Sequence, residues 1–164
     1  MRLDGSCCCG AVRFSVEAYA PVPYLRCYCS VCRKTAGGGG YAVNLGARAG
    51  TLEVQGEESV RTFHAVIDGK QSPAARSFCG SCGSALWLWD PRWPDLLHPF
   101  ASAIDTDLPA PPGQVHMMLD ARPAWARLDT RPGEACFPGF PEQSLEEWHR
   151  AHGLLHETRK PPRR

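Results

Sequence analysis

Eight of the nine cysteines in this chain sit in three tight groups, and those groups constrain the fold more than any other feature. They are Cys7-Cys8-Cys9-Gly10, Cys27-Tyr28-Cys29-Ser30-Val31-Cys32 and Cys79-Gly80-Ser81-Cys82-Gly83, with only Cys136 apart. Core packing does not call for such clustering, and an odd count does not suit a disulfide framework. The first ten residues hold no apolar stretch before the cysteines, and no later run reaches the length of a membrane span. Those features point to a cytoplasmic protein with reduced thiols, in which ligand-spaced cysteines bind metal.

The pairs differ in kind. In an extended segment side chains alternate faces, so Cys7 and Cys9 point together while Cys8 points away. Cys79 and Cys82 have the spacing of a zinc knuckle, whose turn brings two sulfurs to one point. Gly80 and Gly83 relieve steric limits there. One pair of each kind makes a closed tetrahedral zinc site of four thiolates, a structural site that joins the N-terminus to the middle of the chain. Cys27, Cys29 and Cys32 supply three thiolates to a second zinc, and three protein ligands with one exchangeable position is the pattern of a catalytic ion. If Cys8 or Cys136 reached that ion, the second site would be closed as well.

With 164 residues, 43% of them hydrophobic, the chain is long enough for one domain with a core. Its net charge of +1 argues against a polyanion-binding surface and gives no reason to expect a nucleic-acid partner. High Gly and Pro with short alternating runs predicts a loop-rich β domain. Strands are expected near 11–16, 41–45, 51–54, 60–66, 84–89 and 115–119, with a tight turn at Asp68-Gly69. The Pro-rich stretch from Pro91 to Pro112 reads as loops, and the Gly37–Gly40 run as a flexible connection or a loop that offers backbone N–H groups to an anion. Trp87, Trp89, Trp93 and Trp125 read as core and cover. Ser144-Leu145-Glu146-Glu147 is a capping box that starts a short helix ending near His152, with Gly153 as its stop. His149, His152 and His156 share a face of that helix, and a solvated face explains them. The division expected is a zinc-binding β domain over residues 1–141, then a C-terminal helix and basic tail over 142–164.

The three cysteine segments, together with His116-Met117-Met118-Leu119-Asp120-Ala121-Arg122-Pro123-Ala124-Trp125, resemble the glutathione-dependent formaldehyde-activating enzyme family, which also includes centromere protein V. The resemblance implies stacked antiparallel sheets of the β-tent type with two zincs per chain. It assigns Cys7, Cys9, Cys79 and Cys82 to the structural ion and Cys27, Cys29 and Cys32 to the catalytic one. The reaction implied is that of a carbon–sulfur lyase, adding the thiol of glutathione to formaldehyde. Family members commonly carry His where this chain has Tyr28.

A small thiol and a small aldehyde are therefore the expected partners. Tyr28, Ser30 or a water would handle the proton of the developing alkoxide. Arg33, Lys34, Gly38, Gly39 and Arg76 would hold the carboxylates of a tripeptide thiol. Two other readings compete: a zinc-stabilised binding module without catalysis, and a zinc-scaffolded thiol redox enzyme using Cys8 or Cys136.

Overall fold

The computed structural model describes residues 1–111 and 113–155. Twelve strands and two helices follow one another along it. The first half holds β1 (Arg2–Ser6), β2 (Arg13–Glu17), β3 (Tyr24–Cys27), α1 (Ser30–Ala36), β4 (Ala42–Asn44), β5 (Ala47–Arg48), β6 (Glu53–Gln55) and β7 (Val60–Ile67). The second holds β8 (Lys70–Cys79), β9 (Ala85–Trp89), β10 (Leu96–Pro99), β11 (Gln114–Met117), β12 (Ala135–Cys136) and α2 (Leu145–Ala151).

These strands make three sheets, ordered β1-β2-β6, β5-β10-β9-β8-β7 and β12-β11-β3-β4. The five-stranded sheet lies between the other two, and β9 shows why. Along Ala85–Trp89, Leu86, Trp87 and Trp89 pack into one apolar cluster, and Ala85 and Leu88 pack against a second. The first cluster joins Leu3, Phe14 and Val16 of the three-stranded sheet to Trp87 and Leu97, with Phe14 edge-on to Trp87 at 5.1 Å. The second joins Leu25, Cys27, Ala42, Val115 and Met117 of the four-stranded sheet to Phe100 and Leu88. The fold is mainly β, as expected, although β11 runs parallel to both β3 and β12.

The Asp68-Gly69 turn closes the β7–β8 hairpin with positive φ at both residues, 50° and 76°, as a two-residue hairpin turn of this twist requires. The Ser144 cap also forms: its hydroxyl accepts from the Glu147 N–H at 3.2 Å and its own N–H donates to the Glu147 carboxylate at 2.8 Å. The expected 115–119 strand stops at Met117, because Met118 turns to a φ of 61° and starts a 3-10 turn.

Several expectations are corrected. The stretch from Pro91 onward is not all loop, since Leu96–Pro99 pairs with both β9 and β5. A strand of four residues is too short to show a period between prolines; Pro112 lies outside the described residues. The two ends of the glycine run are closely packed: a Cβ on Gly40, whose φ is +91°, would meet the Ala126 Cβ at 2.4 Å, and one on Gly37 would collide with the Tyr41 carbonyl. Trp93 and Trp125 are exposed, whereas Trp87 is core. His149 is not solvated: it is buried, with Nε2 on the Val22 carbonyl at 2.5 Å, and pins α2 to the chain ahead of β3. His152 stacks on Trp148, and His156 and the basic tail lie outside the described residues.

Candidate metal centres

The β1–β2 and β8–β9 turns meet at four sulfurs. Cys7, Cys9, Cys79 and Cys82 bring their Sγ atoms within 4.8 Å of one another. Cys7 and Cys79 are buried at the inner side of the cluster, with Cys9 and Cys82 at the surface. Each turn is closed by its own backbone: Gly10 donates to the Cys7 carbonyl at 3.0 Å and Gly83 to that of Cys79 at 2.8 Å. Gly10 and Gly83 both take a φ of 75°, which makes glycine the natural residue after each pair. The Val12 N–H points at the Cys7 sulfur from 3.2 Å. The Ser84 hydroxyl, first among several donors, draws the Cys82 thiol down to about 5.

This donor set fits zinc. A tetrahedron with metal–sulfur distances of ~2.3 Å spaces its sulfurs about 3.8 Å apart. The Cys7–Cys9 and Cys9–Cys79 sulfurs stand 3.5 and 3.7 Å apart. An ion there would tie the three-stranded sheet to the five-stranded one.

The second group is built where β3 runs into α1. Cys27 ends the strand, Cys29 caps the helix, and Cys32 falls in its first turn. Cys29 Sγ accepts from the Cys32 N–H at 3.3 Å, so the cap itself turns that sulfur toward the other two. The sequence pattern did not announce this helix, because a seven-residue element beside four glycines shows little periodicity. The three sulfurs also lie within 4.8 Å of one another. Cys27 and Cys32 are buried and Cys29 is half-buried, leaving the group accessible at one corner. Neither Cys8 nor Cys136, both exposed, joins it.

Three thiols so close cannot all ionise unaided. Hydrogen bonding from Cys27, then from Cys32, pulls the Cys29 thiol down to about 2, while the same contact with Cys29 pushes Cys27 far up. Mutual repulsion opposes ionisation of all three, and full ionisation calls for a cation among the sulfurs. Zinc suits the chemistry of the set, and with three protein ligands it would keep one position open.

Around the trio, Arg76 of β8 is 9% exposed and points Nη2 at the Cys32 sulfur from 3.9 Å. Ser30 and Lys34 are exposed on α1 and Arg33 is half-buried there. Gly38 has nothing within 4 Å of a Cβ built on it, and Gly39 only the Tyr41 ring.

Tyr28 is fully buried. Its hydroxyl meets His116 Nδ1 at 3.2 Å, and His116 Nε2 meets the Glu134 carboxylate at 3.1 Å. His116, Glu134 and the half-buried His98, which donates from Nδ1 to the Leu45 carbonyl at 2.9 Å, were not singled out from the sequence. Burial pushes His98 below its ordinary value. The one available signal was a histidine inside the apolar run Val115-His116-Met117, a buried polar group that needs partners.

A family model described as glutathione-dependent formaldehyde-activating enzyme matches residues 2–117, a span that takes in both cysteine clusters. The chain belongs to this family. A provisionally named glutathione-dependent formaldehyde-activating enzyme of Halomonas elongata is 57% identical over 154 residues, covering 94% of this chain and 98% of that relative. The likeness to it therefore extends past the family match, through the region of Glu134 and α2. A crystal structure of a Rhodobacter sphaeroides protein superposes with a TM-score of 0.51 at 24% identity, over 84% of this chain and 99% of that one, and shares the fold. Among the described residues, no helix is long and apolar enough to cross a membrane.

Proposed function

We propose that the protein is a carbon–sulfur lyase that joins a small thiol of the glutathione type to formaldehyde, with one structural and one catalytic zinc. The observation that carries this reading is the incomplete donor set: three thiols converge, two buried and one accessible, with no fourth cysteine beside them, in a member of this family. The name of the Halomonas elongata relative supports the thiol and the aldehyde as substrates.

The reaction forms one S–C bond. The thiol sulfur attacks the carbonyl carbon, the C=O π pair moves to oxygen, and the proton lost by the thiol is returned to that oxygen, giving RS–CH2–OH. A zinc ion at the trio, when bound, favours thiolate over thiol and polarises a carbonyl. The chain's own residues hold and shape the site. The α1 cap fixes Cys29 and Cys32 relative to one another, and the apolar wall of Phe100, Met117 and Leu88 excludes water from its inner side. The Tyr28 hydroxyl is already engaged by His116, which leaves Ser30 or a water to carry the proton. Arg33, Lys34, Gly38 and Gly39, at and just beyond α1, would receive the carboxylates of a tripeptide thiol.

The test is metal content per chain with cobalt as a visible probe, followed by titration with glutathione. Two metals, with a spectral change at one only, support the reading. One metal, or two that ignore the thiol, overturns it.

A further inference from the structure

Arg76 stands out among the buried polar groups. It lies mid-strand in β8, in register with Leu88 of β9, whose side chain packs on the cluster that contains Cys27 and Cys32. A guanidinium always carries its charge, so burying one is costly without partners. Yet Nε and Nη1 of Arg76 are buried with no hydrogen-bond partner, and only Nη2 has one, the Cys32 sulfur. Among the described residues no carboxylate forms an ion pair with it. Asp90 is near enough to feel its charge, but the Asp90 oxygens are held by Arg92 at 2.6 and 2.9 Å. Charge balance against the thiolates accounts for a cation here; it does not account for two buried donor nitrogens of the same guanidinium left without a partner.

We infer that Arg76 is a catalytic residue that receives the aldehyde oxygen as negative charge develops on it. This rests on the lyase reading above and names a role within it. The choice of ligand follows from distance. In RS–CH2–O⁻ the oxygen is one carbon removed from sulfur, whereas the carboxylates of a tripeptide thiol are many bonds away. A donor touching a cysteine of the trio is placed for the first and too close in for the second. When the S–C bond forms and the π pair moves to oxygen, Nε–H or Nη1–H donates to the resulting alkoxide. Arg76 gives up no proton; the one released by the thiol neutralises the oxygen afterwards. Donors fixed in advance where charge appears act most strongly in such a water-poor setting.

The experiment uses the zinc-loaded full chain and formate, an anion with one carbon like formaldehyde. Binding is followed by the carbon-13 signal of labelled formate, beside turnover with glutathione and formaldehyde and metal content. Wild type is expected to bind formate. Arg76→Met is expected to lose that binding and roughly 10²-fold in kcat, with both metals and the cobalt response to thiol retained. Arg76→Lys keeps the charge while losing Nε, and is expected to fold, keep its metals and bind formate at least tenfold more weakly. It decides the matter if the Met variant does not fold. The inference is overturned if wild type does not bind formate, if the Lys variant binds formate and turns over like wild type, or if both variants shed the second metal, which would leave Arg76 as charge balance alone. Formate binding that disappears with Arg76 in a protein with no lyase turnover keeps the anion site and sinks the lyase reading instead.

Discussion

The Tyr28 hydroxyl lies 3.2 Å from His116 Nδ1, with both residues fully buried, and this contact orients the strand end that carries the cysteine trio. Glu134 lies on the far side of the ring, and its carboxylate is held below the ordinary range by the Arg131 N–H first and by His116 as well. A carboxylate at Glu134 accepts, so Nε2 is the donor in that contact, and Nδ1 shares the other contact with the Tyr28 hydroxyl. This chain of contacts joins β3 to β11 and to the segment before β12, beside the backbone pairing of Met117 with Cys27.

Removing the hydroxyl leaves Nδ1 without a hydrogen-bond partner inside the core. Tyr28→Phe is expected to cost about 1–3 kcal/mol of stability, read as a lower Tm. Its turnover per metal-loaded molecule should stay within a few-fold of wild type, because the hydroxyl is committed to His116. A loss of kcat with unchanged Tm would instead make Tyr28 the proton donor at the site.

The two cysteine groups should fail differently. The four-cysteine group joins two sheets through two turns, and structural zinc contributes directly to folding. Cys79→Ser is therefore expected to broaden or abolish the cooperative thermal transition. Cys29→Ser alters a half-buried corner of a helix cap, and is expected to lose one metal and turnover while keeping the fold. Metal content and circular dichroism on both variants check this. Like behaviour of the two would undo the division into structural and catalytic ions.

Asp90 offers a pH test away from the metals. The Arg92 side chain holds its carboxyl below the ordinary carboxylate range, helped by the Arg92 N–H at 3.0 Å. A depressed folded value means stability that is full above the unfolded value, about 3.9, and is lost as pH falls through the lower folded one. Asp90→Asn is expected to lower stability by about 1–3 kcal/mol at neutral pH. The gap to wild type should close as the pH drops below about 4. Thermal melts of both proteins across that range would show it, and a constant gap would mean that the charge is immaterial.

Cysteine spacing was legible because ligand geometry demands it: both groups converge as their sequence intervals require. Two strands were legible from local pattern, Arg13–Glu17 because apolar and polar residues alternate through it and Ala85–Trp89 because it is a short continuous apolar run. What escaped was whatever depends on distant partners. β3 and β10 are four-residue strands that exist through their neighbours in the sheet, and α1 exists through its cap and its cysteines. The Tyr28–His116–Glu134 contacts span 88 and 18 residues of sequence, and no local pattern encodes them. Arg76 was visible as a basic residue; that two of its nitrogens would be buried and free was not.

The glycine run lets packing and the proposed substrate binding be tested apart within four residues. Gly40 is buried at a φ of +91°, and a Cβ there would come within 2.4 Å of Ala126 and 3.2 Å of the Trp125 ring. Both the backbone conformation and the space exclude a side chain, so Gly40→Ala is expected to destabilise by about 1–3 kcal/mol whatever the loop does in catalysis. Gly38 has no such constraint: it is exposed, and an added Cβ meets nothing within 4 Å. Gly38→Ala should leave stability within about 0.5 kcal/mol of wild type, so any change in KM for the thiol reports on the loop as a carboxylate anchor. A raised KM with unchanged kcat would assign it to uniform binding of the substrate. If Gly38→Ala and the corresponding Gly39→Ala both bind thiol as wild type does, the run serves packing through Gly37 and Gly40, and the carboxylate anchors must be sought at Arg33 and Lys34.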